Sequence, residues 1–229
     1  MRTKLVMLLL AAIVGAAAGE EVPASFDHGV ASGDPLPGRV VIWTRVTPRA
    51  SGEGRVLVRW TVSHLSSDHS AEARAENALR GWVEATAERD FTVKVDVLGL
   101  TPGKTYFFSF HAGTALSPVG RFKVPLAADK HVTELQYAVF SCSNWGFGYF
   151  NAYDAAARLD LDFWLHLGDS IYEYDEDHYP SKREAVRTGL QPPHECLTLS
   201  DYRRRHALYR QDLGLQALSA NAAMIAIWV

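Results

Sequence analysis

One short stretch of the chain joins the pattern of a buried strand to residue types that bind metal ions. The apolar run 163–167 ends in Gly168 and Asp169, and Tyr172 follows three residues later. A short apolar run ended by glycine is typical of a buried strand, and ligands of an open α/β sheet bind where strands end. A carboxylate there can bridge hard cations, with the phenol in reach of the same centre. Taken alone, the stretch also allows a solvated turn capped by Asp169.

The composition indicates an ordinary globular protein. The 229 residues are 48% hydrophobic and 11% aromatic, which argues against disorder. This length suits one large domain or two small ones. The formal net charge of −3 gives no electrostatic reason to expect a nucleic-acid partner, and we expect a monomer.

The first residues predict export from the cytoplasm. Arg2 and Lys4 precede an apolar run at 5–14, and the alanines at 16–18 fit a cleavage site. We interpret 1–19 as a secretory signal peptide, because the run is short for a membrane span; an uncleaved anchor is the alternative. The protein is then secreted or periplasmic, with no stable membrane span.

The segment 24–125 is predicted to be an all-β domain. Apolar and β-branched residues alternate at 40–46, 56–62 and 91–97, with turn clusters between them, and 119–124 supplies a last strand. This spacing favours a β-sandwich. Leu100, Pro102 and Tyr106 are spaced as in the tyrosine corner of fibronectin type III-like domains, where the phenol pairs with backbone groups.

The pattern changes after a linker at 125–131. Strands alternate with helices over 132–229, which indicates a parallel α/β sheet. A long irregular stretch lies between residues 173 and 198. The predicted strands are 135–140, 162–167 and 224–228, and the predicted helices are 150–159, a helix capped by Ser200 that runs to Asp212 before Gly214, and a short piece at 215–220.

Several separated motifs together resemble the PhoD-type alkaline phosphatases. The similarity runs, with gaps, from about residue 26 to residue 228, in the order that the family shows. The matching motifs lie at 26–35, 41–45, 140–143, 148–153, 168–174, 202–209 and 215–218.

The resemblance implies a fibronectin-like domain followed by a calcineurin-like metallophosphoesterase domain. Members are exported phosphomonoesterases and phosphodiesterases that use iron with calcium, so phosphate esters are the implied substrates. By position, Cys142 is a thiolate ligand to iron, Asp169 bridges iron and calcium, and Tyr172 is a further iron ligand. Asn144 and Asn151 are candidates for contacts to these ligands or to phosphate.

Each of these roles has a structural alternative. In an oxidising compartment Cys142 and Cys196 form a disulfide by default. Tyr172 is otherwise a packed aromatic side chain. We expect His166 to be a core histidine turned away from the neighbours of Asp169, because side chains alternate along a strand. Solvated surface positions are expected for the acidic run Glu173, Asp175, Glu176 and Asp177, and for most of Arg203, Arg204, Arg205 and Arg210.

Two departures from the family pattern shape the functional expectation. Arg2 is followed by Thr3 rather than by a second arginine, which favours general secretory export over the twin-arginine route. In the family the strand matching 223–228 continues into Asp-Asp-His-Glu, where this chain has Val229. We therefore expect an incomplete metal site, no significant phosphatase activity of this chain alone, and an open sheet edge with an uncovered apolar face. The alternative function is a secreted, non-catalytic binding module built on the fibronectin-like domain.

Overall fold

The computed structural model describes residues 24–49, 54–64, 78–178 and 187–227. The predicted signal peptide at 1–19 lies outside these ranges. Within them, no helix is long and apolar enough to cross a membrane.

The first half of the described chain consists of β-strands in two main sheets. The strands are β1 (Ala24–Ser25), β2 (Val30–Leu36), β3 (Arg39–Arg45), β4 (Thr47–Pro48), β5 (Arg55–Ser63), β6 (Leu79–Thr86), β7 (Thr92–Leu98), β8 (Thr105–Ala112), β9 (Ala115–Leu116) and β10 (Gly120–Lys123). β2, β3 and β7 pair in antiparallel fashion in one sheet, and β10, β8, β5 and β6 pair in that order in the other.

A single hydrophobic core lies between the two sheets. Val40 and Ile42 of β3 are buried against Val58 of β5 and Phe108 and Phe110 of β8. These residues occupy alternate positions, because successive side chains of a strand point to opposite faces. The predicted alternation at 40–46 and 56–62 is thus confirmed, and the two sheets form a sandwich.

The predicted tyrosine corner is present. The Thr101 backbone N–H donates to the Tyr106 hydroxyl at 2.9 Å, and Tyr106 stacks on Phe122 with ring centroids 5.7 Å apart. The phenol thereby satisfies a backbone donor at the turn into β8.

The second half supplies three parallel strands and three α-helices. The elements are β11 (Tyr137–Phe140), α1 (Asn151–Ala156), β12 (Phe163–His166), α2 (Leu199–Tyr209), α3 (Leu213–Asn221) and β13 (Ala223–Ala226). The strands β11, β12 and β13 lie side by side in that order. The register of β11 and β12 places Phe140 opposite His166, so these two strands end at the same edge of the sheet.

The predicted caps of the late helices are wrong by a few residues. Thr198, not Ser200, caps α2, because its hydroxyl accepts from the Asp201 N–H while Asp201 accepts from the Thr198 N–H. Asp212 caps α3, and Gly214 lies inside that helix instead of ending the previous one. Two reciprocal hydrogen bonds outweigh the serine signal that the sequence offers.

The two halves share one six-stranded sheet, which the sequence did not predict. β13 pairs with β2 through Met224 and Gly33, giving the order β11-β12-β13-β2-β3-β7. β2 therefore covers the edge of β13, and β11 and β7 are the edge strands of this sheet among the described residues. Arg121 of β10 adds a further connection, because it donates to the Asn221 carbonyl at 3.0 Å and forms an ion pair with Asp160.

The three parallel strands are covered on one face by helices. Trp164 of β12 is buried in a second core with Tyr153 of α1 and Leu218 of α3. On the opposite face, Tyr137 and Val139 of β11 are 52% and 48% exposed. An uncovered apolar face, as expected, is thus present among the described residues.

Candidate metal centre

The candidate site lies where β11 and β12 end side by side. The loop after each strand is held to the other by backbone hydrogen bonds: Cys142 N–H donates to the Gly168 carbonyl at 3.2 Å, and Ser143 N–H donates to the Asp169 carbonyl at 2.9 Å. Because parallel strands end at one edge, residues far apart in sequence become neighbours there.

Both candidate ligands on these loops have a left-handed backbone. The φ angle is 58° at Cys142 and 52° at Asp169. Such values are uncommon for residues other than glycine and persist only where the surroundings enforce them. The hydrogen bonds between the loops supply that constraint, and the side chains are turned toward each other as a result.

The structure brings the three predicted ligands together. The Cys142 Sγ lies 3.6 Å from Asp169 Oδ2, and the Tyr172 hydroxyl donates to the same oxygen at 3.0 Å. Burial, together with hydrogen bonding to Cys142 and Asp169, raises the pKa of the Tyr172 phenol. The Tyr172 side chain is half-buried and its hydroxyl contacts the Asp169 carboxylate, so it is both packed and hydrogen-bonded to another candidate ligand.

The disulfide alternative is wrong. Cys142 is an exposed free thiol, and Cys196 is a buried one. Burial raises the pKa of the Cys196 thiol, which makes this side chain an unreactive core residue. Cys142 is therefore the cysteine that a metal ion could reach.

Arg205 contradicts the expectation of a surface helix charge. Its side chain is fully buried and donates to five backbone carbonyls. Two of these carbonyls belong to Tyr172 and Tyr174, and the other three belong to Gln191, Pro192 and His194. Arg205 thus fixes the loop that presents Tyr172.

A buried hydroxyl and imidazole network lies beside the site. His166 is 2% exposed, and its Nε2 lies 3.0 Å from the Tyr153 hydroxyl and 3.2 Å from Ser143 Oγ. The prediction of a core histidine is confirmed, but His166 contacts the neighbour of Cys142 rather than facing away. Burial lowers the pKa of His166, and its Nδ1 has no hydrogen-bond partner among the described residues. Sequence reasoning missed Ser143 and Tyr153 in this role, although both lie within the quoted motifs.

The two predicted asparagines have different surroundings. Asn144 Oδ1 accepts from the Gly146 N–H at 2.9 Å and so caps a short 3-10 turn. Asn151 is exposed at the start of α1. Both line a cavity of about 270 Å³ with Cys142, Ser143 and Tyr149.

Most of the remaining charged candidates lie on the surface. Asp175, Glu176 and Asp177 are exposed, as a solvated loop predicts, and Glu173 is half-buried. Arg204 is exposed as predicted, whereas Arg203, Arg205 and Arg210 are at least partly buried.

The donor set fits one iron ion better than it fits calcium. Sulfur and phenol oxygen donors suit iron, and Cys142, Asp169 and Tyr172 supply them within hydrogen-bond range of one another. Calcium needs six to eight oxygen ligands. In the described ranges no group of three or more histidine, cysteine, aspartate or glutamate side chains could hold a metal ion, and Asp169 is the predicted calcium ligand that lies at this site.

Comparison with known proteins identifies the family. A profile of the PhoD-like phosphatases matches residues 137–228, and a profile of the N-terminal domain of PhoD-like phosphatases matches residues 13–125. The chain belongs to the PhoD-like phosphatase family.

Two relatives agree with this assignment. Alkaline phosphatase D of Bacillus subtilis (strain 168) is 38% identical over 208 residues, covering 89% of this chain and 34% of the relative. A solved structure of PhoD superposes with a TM-score of 0.80 at 38% identity, covering 89% of this chain and 38% of that one. The chain thus spans about a third of the length of the relatives it matches.

Proposed function

We propose that this chain supplies the iron-binding part of a metal-dependent phosphomonoesterase or phosphodiesterase. The observation that supports this most is the meeting of the Cys142 sulfur, the Asp169 carboxylate and the Tyr172 hydroxyl at one point. Left-handed backbone at two of these three residues supports a functional site, because strain of this kind is typical of such sites. The similarity to alkaline phosphatase D supports phosphate esters as substrates.

The residues of the candidate site have different chemical roles. When bound, iron supplies a Lewis acid that polarises a phosphoryl oxygen and acidifies a water molecule. Cys142 and Tyr172 offer anionic donors once deprotonated, and Asp169 faces both of them. Asn151 lines the adjoining cavity and can donate its amide to a phosphate oxygen there.

Iron binding tests the proposal directly. Titration of the full chain with iron(III) should produce the visible charge-transfer absorption of an iron-bound phenolate. Tyr172→Phe should abolish that band, because only the hydroxyl is removed. Tyr174→Phe is the matched control, since the Tyr174 ring stacks on His178 with centroids 3.9 Å apart. An equal band in wild type and Tyr172→Phe would contradict the assignment.

We further infer that these 229 residues alone hydrolyse phosphate esters poorly. Among the described residues, Cys142, Asp169 and Tyr172 are the candidate ligands that contact one another, and no group of three or more histidine, cysteine, aspartate or glutamate side chains could hold a metal ion. Positioning of water and phosphate in line therefore lacks most of its support. Turnover of p-nitrophenyl phosphate by the purified chain, lost on Asp169→Ala, would refute this inference.

The cellular setting and the division into domains remain part of this proposal. We propose that 1–19 directs export, that 24–125 is the fibronectin-like domain and that 132–229 is the metallophosphoesterase part of a monomer. An isolated binding module, the alternative function, is disfavoured by contacts between the halves, because Ala223 lies in the core of the sandwich and Arg121 reaches Asn221. Limited proteolysis should thus protect both halves together, whereas a resistant fragment ending near Val124 would favour the binding module.

A further inference from the structure

A second cavity lies between α2 and the outer face of the sandwich. Its volume is about 620 Å³, within the range of small-molecule sites. The sheet wall is formed by two strands in register, with Trp43 opposite Lys94 and Arg45 opposite Thr92. An outer sheet face is ordinarily solvated, and here a helix lies over part of that face and forms a cleft. We call this cavity the outer cleft.

The helix wall of the outer cleft is polar where packing would favour apolar side chains. Residues spaced three and four apart share one face of a helix. A helix that only packs on a sheet presents an apolar stripe there. The α2 face and its C-cap instead present three arginine or histidine side chains and a tyrosine. The lining residues of this wall are Leu199, Tyr202, Arg203, His206, Ala207 and Arg210.

Cationic side chains face each other across the outer cleft. Arg45, Lys94 and Arg89 lie on the sheet side and Arg203 and Arg210 on the helix side, in a chain whose net charge is −3. The one carboxylate of the lining, Asp90, is already bound by Arg45 at 2.8 and 2.9 Å.

The remaining cations of the lining have no carboxylate partner in the part of the chain that the structure describes. Arg89 and Lys94 form no ion pair there, and Arg203 donates to the Glu88 backbone carbonyl. Like charges held face to face repel one another, and an anion between them removes that cost. The arrangement therefore favours an anionic ligand.

Aromatic rings and a neutral histidine complete the lining. The Arg210 guanidinium lies 4.7 Å from the centre of the Trp43 ring, which fixes both side chains. Tyr202 on the opposite wall is 36% exposed. His28 is 3% exposed, and burial beside Arg45 lowers its pKa to about 4, so it adds no charge at neutral pH.

We propose that the outer cleft binds one organic phosphate, with the phosphate between Arg89, Lys94 and Arg203 and a planar ring against Trp43. A dianionic phosphate matches several cations better than a single carboxylate does, and guanidinium groups bind phosphate oxygens in pairs. The volume accommodates a ring as well as the phosphate. The cleft shares no lining residue with the candidate metal centre, so this proposal does not depend on the proposed function.

Calorimetry on the full, EDTA-treated chain tests the proposal with adenosine monophosphate as the probe. One equivalent should bind, about tenfold or more tighter than adenosine or inorganic phosphate, because charge and ring are both used. Arg89→Ala and Lys94→Ala should each weaken binding about tenfold. Both residues are exposed, so neither variant should unfold the chain.

Two control variants test whether the nucleotide binds in the outer cleft. Lys104→Ala removes the same charge from an exposed residue outside the cleft and should leave the affinity unchanged. Cys142→Ser should also bind the nucleotide normally. Any of three results would overturn the proposal. The nucleotide could fail to bind to Cys142→Ser, it could bind to Arg89→Ala and Lys94→Ala as tightly as to wild type, or it could show no binding to the wild type at millimolar concentration. Equal affinities for the nucleotide and inorganic phosphate would overturn the role of the ring.

Discussion

Replacement of Arg205 by alanine should destabilise the protein far more than its position in a run of three arginines suggests. The buried guanidinium satisfies five carbonyl oxygens. An unsatisfied buried polar group costs about 1–3 kcal/mol, and water entering the new cavity recovers part of the sum. We expect a loss of about 3–5 kcal/mol in the free energy of unfolding, a large fraction of the stability of a typical domain.

Urea denaturation of the full chain, followed by tryptophan fluorescence, measures this loss. Arg204→Ala is the matched control, because Arg204 is exposed on the same helix and should change stability by less than about 0.5 kcal/mol. Arg205→Lys should fall between the two, since an ammonium group keeps the charge but cannot reach five acceptors in a fixed fork.

Amide hydrogen exchange distinguishes the local effect of the Arg205 hydrogen bonds from a general contribution of this side chain to packing. Amide hydrogen exchange of the 172–174 loop and the 191–194 loop should increase in Arg205→Ala more than exchange in the sandwich strands does. The reasoning would be refuted if Arg205→Ala and Arg204→Ala unfolded at the same urea concentration, or if exchange rose evenly over the whole chain.

Three further substitutions, each at a single residue, should change the stability of the folded chain by a predictable amount. Tyr106→Phe removes the acceptor for the Thr101 N–H and should lower the free energy of unfolding in urea by about 1 kcal/mol, with Phe122→Leu as a comparison for lost packing. An unchanged free energy in Tyr106→Phe would contradict the role of this hydrogen bond. Thr198→Ala removes the cap of α2 and should cost about 1 kcal/mol by the same measurement, whereas Ser200→Ala should cost less. The pKa of His28 is about 4 in the folded chain against 6.5 in the unfolded chain, so the free energy of unfolding should be at its full value above pH 6.5 and fall by about 3 kcal/mol toward pH 4. His28→Gln should flatten this pH dependence. An unchanged slope in that variant would contradict the role of His28.

The parts of the site predicted from sequence are those that depend on local pattern. Two apolar runs ending in polar residues identify strand ends, and parallel strands must end together, so the meeting of Cys142 and Asp169 follows from the pattern. The resemblance, rather than the spacing, supplied Cys142 as a ligand. Tyr172 lies three residues from Asp169, which makes its contact a local one as well.

The features that the sequence did not predict depend on distant partners. Nothing in the run of arginines distinguishes Arg205, because its burial is decided by carbonyls up to 33 positions away. The pairing of Met224 with Gly33 joins strands of unlike pattern, and the outer cleft needs α2 to lie on a sheet from the other half. Periodicity reports which face of an element is apolar, but it does not report which element covers that face.

The shared sheet also sets an order of events during synthesis. β2 is made early and gains β3 soon afterwards, but its other neighbour, β13, is completed only at Ala226. Until then the hydrogen-bonding edge of β2 has no permanent partner, and such edges pair readily with other chains. Closing a sheet between Gly33 and Met224 is slow compared with closing a hairpin. The sandwich thus emerges from the ribosome without one neighbour of β2, and the strand that protects this edge is made long after the edge itself.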